Sequence, residues 1–138
     1  MSTTIGLIGE YIAAAVVLSL GWRVSTCQQD KVDLLAWKKN EYIRIQVKTS
    51  KKYIDEGRRS PRYHFQLGSG CKTKTLPDEK DYDILCCVGY DHRKALFLPV
   101  QQVQQKTKSL SPQLFDEPKA ELYSFNKALA AVRRCRDG

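Results

Sequence analysis

The strongest constraint on the fold is a pair of alternating segments joined by a short polar turn. The first segment runs from Val32 to Trp37, and the second runs from Tyr42 to Lys48. Alternating segments separated by the four residues KKNE are typical of an antiparallel β-hairpin. Counting pairs outward from this turn places Asp33 opposite Gln46, and the pleat places Gln46 and Lys48 on the same face.

The elements around the hairpin predict a mixed α/β fold. Residues 3–20 follow a helical period, and one side of this helix carries small residues apart from Glu10. The other predicted elements are strands at 22–27, 62–67, 82–88 and 95–100, an irregular segment at 101–121, and a last helix from Ser124, as its cap, to Arg134. We therefore expect one domain spanning residues 1–138, with a mixed central β-sheet flanked by helices.

The composition is typical of a folded protein of the cell interior. Hydrophobic residues make up 42% and charged residues 28% of the chain. The five cysteines are odd in number and contain no CxxC motif, which favours buried, reduced thiols. The longest apolar run is too short to span a membrane, and no Lys or Arg precedes it as in a signal peptide. We expect a cytoplasmic protein that does not enter a membrane.

The net charge of +8 is concentrated in one part of the chain. The segment from Lys38 to Lys74 holds eleven basic and three acidic residues, which accounts for the whole excess. Such a concentration is expected of a face that binds a polyanion. The residues predicted to contact nucleic acid, as phosphate anchors or as groove contacts, are Lys51, Lys52, Arg58, Arg59, Arg62, Lys72 and Lys74.

Four polar residues are expected to converge at one end of this sheet. The hairpin brings Asp33, Gln46 and Lys48 together, and Glu10 approaches from the first helix. Hard cations such as Mg²⁺ prefer oxygen ligands, usually one or two carboxylates together with water and substrate phosphate. An adjacent ammonium group stabilises charge that develops on a phosphate during its hydrolysis. This constellation predicts metal-assisted cleavage of phosphodiester bonds.

At these positions the sequence resembles the PD-(D/E)XK nuclease superfamily, which has a restriction-endonuclease-like core with the element order αβββαβ. The resemblance covers roughly residues 5 to 100 and includes Glu10, Asp33 and the QVK of residues 46–48. It implies Glu10, Asp33, Gln46 and Lys48 as catalytic residues, with the first three as ligands of Mg²⁺, for which Mn²⁺ substitutes. It also implies products with 5′-phosphate and 3′-hydroxyl ends.

Two residues depart from the pattern of this superfamily. Val32 stands at the position of its proline, and Gln46 replaces its second acidic residue. A similar QxK sequence occurs in intron-encoded homing endonucleases, which the chain resembles most, whereas the related archaeal Holliday-junction resolvases usually keep the acidic residue. An amide oxygen still ligates a metal but brings no charge, so Glu10 would become more important.

Three functions are compatible with these residues. The first is site-specific cleavage of double-stranded DNA, of the homing or restriction type. The second is structure-specific cleavage of branched DNA, as in a Holliday-junction resolvase. The third is a DNA-binding module with a decayed catalytic centre, for which the neutral Gln46 is the main argument. Because a chain of this size must reach both strands to break both, we expect a homodimer or homotetramer.

Overall fold

A computed structural model describes residues 4–53, 60–68 and 75–138, without the side chains of Gln28 and Tyr53. These residues form two α-helices with eight β-strands between them, together with short 3₁₀ turns at Val100–Gln102 and Pro112–Phe115. In chain order they are α1 (Thr4–Ser19), β1 (Arg23–Gln29), β2 (Val32–Lys38), β3 (Glu41–Ser50), β4 (Lys52–Tyr53), β5 (Arg62–Gln66), β6 (Ile84–Gly89), β7 (Lys94–Pro99), β8 (Thr107–Leu110) and α2 (Ala120–Asp137).

The strands form a mixed central sheet and a smaller second sheet. The central sheet has the order β1-β2-β3-β6-β7, and its one parallel pair is β3 with β6. The second sheet has the order β4-β5-β8 and is antiparallel. One buried cluster joins α1 and α2 to the central sheet, and another joins the small sheet to it. The central sheet therefore lies between a helical layer and the small sheet, as expected for a mixed α/β fold.

The β2–β3 hairpin has the predicted register. Leu34 pairs with Ile45 and Lys38 pairs with Glu41, so the turn lies where the sequence placed it. In β3, Ile43, Ile45 and Val47 point toward the helices, because all three belong to the cluster that α1 and α2 share. Gln46 lies beside Leu85 of β6, which belongs to the other cluster, so its face is covered by the small sheet.

The small-residue side of α1 faces the central sheet. Gly9, Ala13 and Val17 are the buried residues of this helix. A Cβ atom at Gly9 would lie only 1.8 Å from Oγ1 of Thr49 in β3, so the helix backbone rests directly on that strand. This close approach brings the next residue, Glu10, to the end of the sheet where β2 and β3 separate.

Two expectations about the elements need correction. The segment expected to be irregular contains β8, whose four residues carry no apolar alternation and are a strand only because they pair with β5. The last helix begins at Ala120, and Ser124 lies inside it, where its hydroxyl accepts a hydrogen bond from the backbone N–H of Phe97. Between β3 and β6 the described residues form β4 and β5, and residues 54–59 and 69–74 lie outside the described part of the chain.

The four described cysteines are free thiols. Cys86 and Cys87 are buried on opposite faces of β6, since each belongs to a different cluster. Cys27 and Cys135 are also free thiols, and Cys71 lies outside the described residues. Within the described part of the chain, neither helix has the length and apolar character needed to cross a membrane.

Candidate active site

Asp33 lies where the pairing of β2 with β3 ends. Leu34 and Ile45 form the last regular pair of the hairpin. Beyond this pair, the side-chain carboxylate of Asp33, instead of a backbone carbonyl of β2, accepts a hydrogen bond from the backbone of β3. Oδ2 of Asp33 accepts a hydrogen bond of 2.7 Å from the backbone N–H of Val47. The strand that carries Gln46 and Lys48 therefore fixes this carboxylate.

The side chain of Gln46 is buried but not satisfied. Only 9% of the residue is exposed, and its Oε1 atom has no hydrogen-bond partner among the described residues. A buried amide oxygen without a donor costs free energy, so such groups in proteins usually serve a purpose. A hard cation or a water molecule bound to it would satisfy this oxygen.

The pKa shifts show that the charged groups lie near one another. Burial raises the pKa of Glu10, and repulsion from the carboxylate of Asp33 raises it further. Burial also raises the pKa of Asp33, whereas the hydrogen bond from Val47 and the positive charge of Lys48 lower it. The structure therefore brings Glu10, Asp33 and Lys48 within electrostatic range. Gln46 precedes Val47, whose backbone N–H binds Asp33, and lies on the face of β3 that the small sheet covers.

These residues fit a divalent cation by the chemistry of their donors. No group of three or more His, Cys, Asp or Glu residues in the described part of the chain is arranged to hold a metal ion. The candidate set is of another kind, since it has two carboxylates and one amide oxygen. Mg²⁺ is commonly held by one or two carboxylates, with water and substrate oxygens completing its shell. Two carboxylates close enough to repel each other match that requirement, and Gln46 offers an amide oxygen on the adjoining strand.

The predicted nucleic-acid contacts fall into three groups. Lys51 and Lys52 are exposed directly after β3, and the ammonium group of Lys51 lies 5.8 Å from the ring centroid of Tyr90. Arg62 is held within the small sheet, where its Nε donates a 2.9 Å hydrogen bond to the hydroxyl of Ser109. The remaining four, Arg58, Arg59, Lys72 and Lys74, lie outside the described residues.

Two basic residues near the site were missed in the sequence. The guanidinium of Arg93 lies 4.3 Å from the ring centroid of Tyr90, the same ring that Lys51 approaches. Tyr90 and Arg93 lie in the turn between β6 and β7. This turn reaches the end of β3 because β6 runs parallel to β3, and the backbone N–H of Tyr90 donates a hydrogen bond to the carbonyl of Ser50. The sequence carries no local signal for this, because the pairing joins segments that are far apart in the chain.

Lys108 of β8 is the second missed residue. Burial raises the pKa of the Cys87 thiol to about 12, and the positive charges of Lys108 and Lys48 both oppose that rise. Cys87 lies beside Lys48 in the parallel pairing of β3 with β6. Lys108 therefore adds positive charge on the Lys48 side of the central sheet. Only the pairing of β8 with β5 places it there.

A buried ion-pair network supports the other end of β3. Asp83 is 7% exposed, and its carboxylate accepts hydrogen bonds from the backbone N–H and the guanidinium of Arg44. Arg136 of α2 donates a further hydrogen bond to the same carboxylate at 3.2 Å. The network ties β3 to the start of β6 and to α2, and so fixes the strand on which Gln46 and Lys48 lie.

The chain thus has a mixed α/β fold, with both helices on one face of the central sheet and the candidate site at one end of it. Among solved structures, the chain is similar to the bacterial homing endonuclease I-Ssp6803I, with a TM-score of 0.71 and 17% sequence identity. The similarity covers 98% of this chain and 97% of that chain, so the two share one fold along nearly their whole lengths. Neither a protein-family model nor a curated protein matches the sequence.

Proposed function

We propose that the protein is a metal-dependent DNA endonuclease of the PD-(D/E)XK type, with Glu10, Asp33, Gln46 and Lys48 as its catalytic residues. The observation that carries this proposal is the fixed carboxylate of Asp33, close to Glu10 and Lys48 and bound to the backbone of the residue after Gln46, whose amide oxygen is buried and unpartnered among the described residues. The nuclease-like fold supports it, since a homing endonuclease shares that fold.

Each side chain has a role in hydrolysis of a phosphodiester bond. Glu10, Asp33 and Gln46 would hold Mg²⁺, or Mn²⁺ in its place, which supplies positive charge at the phosphate and lowers the pKa of a water. Lys48 orients the attacking water as an ammonium group, or takes a proton from that water as the neutral amine. In its ammonium form it also stabilises the negative charge that develops on the phosphate oxygens. Bond cleavage leaves 5′-phosphate and 3′-hydroxyl ends.

The substrate that we propose is double-stranded DNA, cut at specific sites. Lys51 and Arg93 flank the ring of Tyr90 beyond the end of β3, where they can neutralise phosphates next to the cleavage site. Lys108 adds positive charge on the same face of the central sheet as Lys48. Branched DNA is the alternative substrate, because phosphate contacts of this kind do not distinguish a linear duplex from a junction.

We further propose that the active form is a homodimer or homotetramer. The face of α1 that points away from the sheet exposes three large apolar side chains, which are Leu7 at 45%, Tyr11 at 62% and Leu18 at 54%. An exposed apolar stripe along one helix is typical of an interaction surface. A second copy packed there would bring two active sites to the two strands of a duplex.

A DNA-binding module without catalytic activity is the second candidate. It is favoured by the small number of acidic ligands, since the described residues contain no group of three or more His, Cys, Asp or Glu at the site. In that case the basic residues would still bind DNA, while the neutral Gln46 would leave too little charge to retain a cation.

Cleavage of a supercoiled plasmid that contains the target site tests the proposal. The wild-type protein should convert the plasmid to nicked or linear DNA with Mg²⁺ and not with a chelator. Lys48→Ala should lower the rate by about 10²- to 10³-fold, the usual loss when one group that stabilises the transition state is removed. Cleavage of a four-way junction but not of linear duplexes would favour the resolvase, and DNA binding without any cleavage would favour the decayed module.

A further inference from the structure

A second cleft lies at the opposite end of the hairpin from the candidate active site. It has a volume of about 570 Å³ and is bounded by the β2–β3 turn, the end of α1 and one side of α2. The turn residue Lys39 is separated from Asp33 by most of β2, which is about 20 Å at a rise of about 3.3 Å per residue. We call this the hairpin cleft; its ten lining residues are Leu20, Trp22, Lys38, Lys39, Asn40, Glu41, Phe125, Asn126, Leu129 and Arg133.

The hairpin cleft carries a net positive charge. Glu41 is the single acidic residue that lines it, and its carboxylate is paired with the guanidinium of Arg133 by hydrogen bonds of 2.6 and 2.7 Å. Lys38 and Lys39 are exposed, and the charge of Lys38 also acts on Glu41, whose pKa it helps to lower. The ammonium group of Lys38 lies only 3.6 Å from the position that a Cβ would take on Gly21, so it is folded over the end of α1 at the cleft. The cleft therefore favours an anion.

The rest of the lining favours an anion that is attached to an organic body. Leu20 and Leu129 give the cleft an apolar wall, and the rings of Trp22 and Phe125 pack edge to face below it with centroids 5.8 Å apart. The amides of Asn40 and Asn126 add donors and acceptors of the kind that hydrogen-bond sugar hydroxyls and base edges. The volume lies within the range of small-molecule sites and exceeds what a bare phosphate ion needs.

We propose that the hairpin cleft binds a nucleotide through its phosphate group, at a site separate from the catalytic centre. The phosphate is held by Lys38 and Lys39, and the sugar and base lie against the apolar wall near Asn126. Two sources share this chemistry, a free nucleoside monophosphate and a phosphate of a nucleic-acid strand. The site does not depend on the proposed nuclease activity, because none of its residues contacts the candidate metal ligands.

Titration calorimetry with adenosine 5′-monophosphate tests the proposal. The wild-type protein should give saturable binding, and adenosine without its phosphate should bind at least about tenfold more weakly. The double variant Lys38→Ala/Lys39→Ala should weaken binding of the nucleotide by a similar factor, and the single variant Lys39→Gln should weaken it less. The matched control is Lys127→Ala, which removes an exposed lysine of α2 that lines a different groove and should leave the affinity unchanged.

A spectroscopic measurement locates the bound nucleotide. The chain has two tryptophans, so Trp37→Phe leaves Trp22 of the hairpin cleft as the only one. The fluorescence of Trp22 should change on addition of the nucleotide, and the dissociation constant from this titration should equal the one from calorimetry. Competition by a single-stranded oligonucleotide would identify a strand as the source of the phosphate, and its absence would identify the free nucleotide. The proposal is overturned if the nucleotide gives no saturable heat, or if the folded double variant binds it as tightly as the wild type.

Discussion

The carboxylate of Asp33 accepts the backbone N–H of Val47 at 2.7 Å, just beyond the last regular pair of the β2–β3 hairpin. A side chain thus takes the place of a backbone acceptor at the point where the two strands separate. The position of Asp33 is set by the backbone between Gln46 and Lys48, so these three residues are held together without any loop. Rigid strands are a better support for catalytic groups than mobile connections.

Replacing Asp33 by Asn should separate activity from stability. The amide oxygen can still accept the hydrogen bond from Val47, but the negative charge is lost. Because burial raises the pKa of Asp33, its ionised form destabilises the metal-free protein as pH rises through that raised pKa. Asp33→Asn should therefore increase the free energy of unfolding at neutral pH, while plasmid cleavage falls by about 10²-fold or more. Urea unfolding with a chelator present measures the first effect, and an unchanged or lower stability would contradict it.

Replacing Gln46 by Glu tests the role of the neutral ligand. A third carboxylate beside Glu10 and Asp33 adds repulsion in the metal-free state, so the melting temperature without metal should fall. Added Mg²⁺ should raise the melting temperature more in Gln46→Glu than in the wild type, because a ligand that binds only the folded state stabilises it in proportion to its affinity. Gln46→Leu, which has no oxygen, is the control and should show no response to Mg²⁺ beyond that of an unrelated protein.

Gly9→Ala should disturb the active site through the backbone. The added Cβ would lie 1.8 Å from Oγ1 and 2.8 Å from Cβ of Thr49, so α1 must move away from β3. The cost of such overpacking is about 1–3 kcal/mol, and the shift carries Glu10 away from Asp33. We expect both a lower melting temperature and slower cleavage. Ala15→Ser, at an exposed position of the same helix, should change neither.

The sequence was sufficient to predict the parts of the site that depend on local pattern. Alternation in β2 and β3, with a turn of fixed length, determined which residues of the hairpin pair with each other. The small residues on the Glu10 side of α1 were visible in the sequence, and they lie against the sheet because only small side chains permit a close approach of helix and strand. Both signals come from residues that are near one another in the chain.

Features that depend on distant pairing could not be predicted. Strand β8 is recognisable only through its partner β5, since its own residues are mostly polar. Arg93 and Lys108 reach the site because β6 runs parallel to β3 and because the small sheet covers one face of the central sheet. Charge counting along the chain therefore found the basic middle segment but missed these two residues.

Removing the buried carboxylate of Asp83 should be destabilising. Asp83→Ala takes the shared partner from the guanidinium groups of Arg44 and Arg136, whose side chains are 29% and 34% exposed. Because water reaches both guanidinium groups, the cost should be about 1–3 kcal/mol. Urea unfolding should show a loss of that order for Asp83→Ala. Glu117→Ala, at an exposed position, serves as the control, and equal losses in the two variants would refute the role of the network.

The pair of Glu41 and Arg133 should contribute stability that depends on pH. Its hydrogen bonds with Arg133 lower the pKa of Glu41 below the ordinary value of 4.5. The contribution is therefore present above the unfolded pKa and is lost as pH falls through the lowered pKa of the folded state. Because the pair is partly exposed, its size should be about 1 kcal/mol or less. Glu41→Gln should be less stable than the wild type at neutral pH, and this difference should shrink in acid; a constant difference would contradict the assignment.

The most direct test is a crystal structure of the wild-type protein soaked with Mn²⁺, whose anomalous scattering locates the ion. We predict one peak in contact with the side chains of Asp33, Gln46 and Glu10, at about 2.0–2.3 Å from their oxygen atoms. The same soak of Asp33→Asn should lose or weaken that peak. A structure in which these three side chains hold no ion at saturating Mn²⁺, or in which the ion binds elsewhere, would contradict the proposed catalytic site.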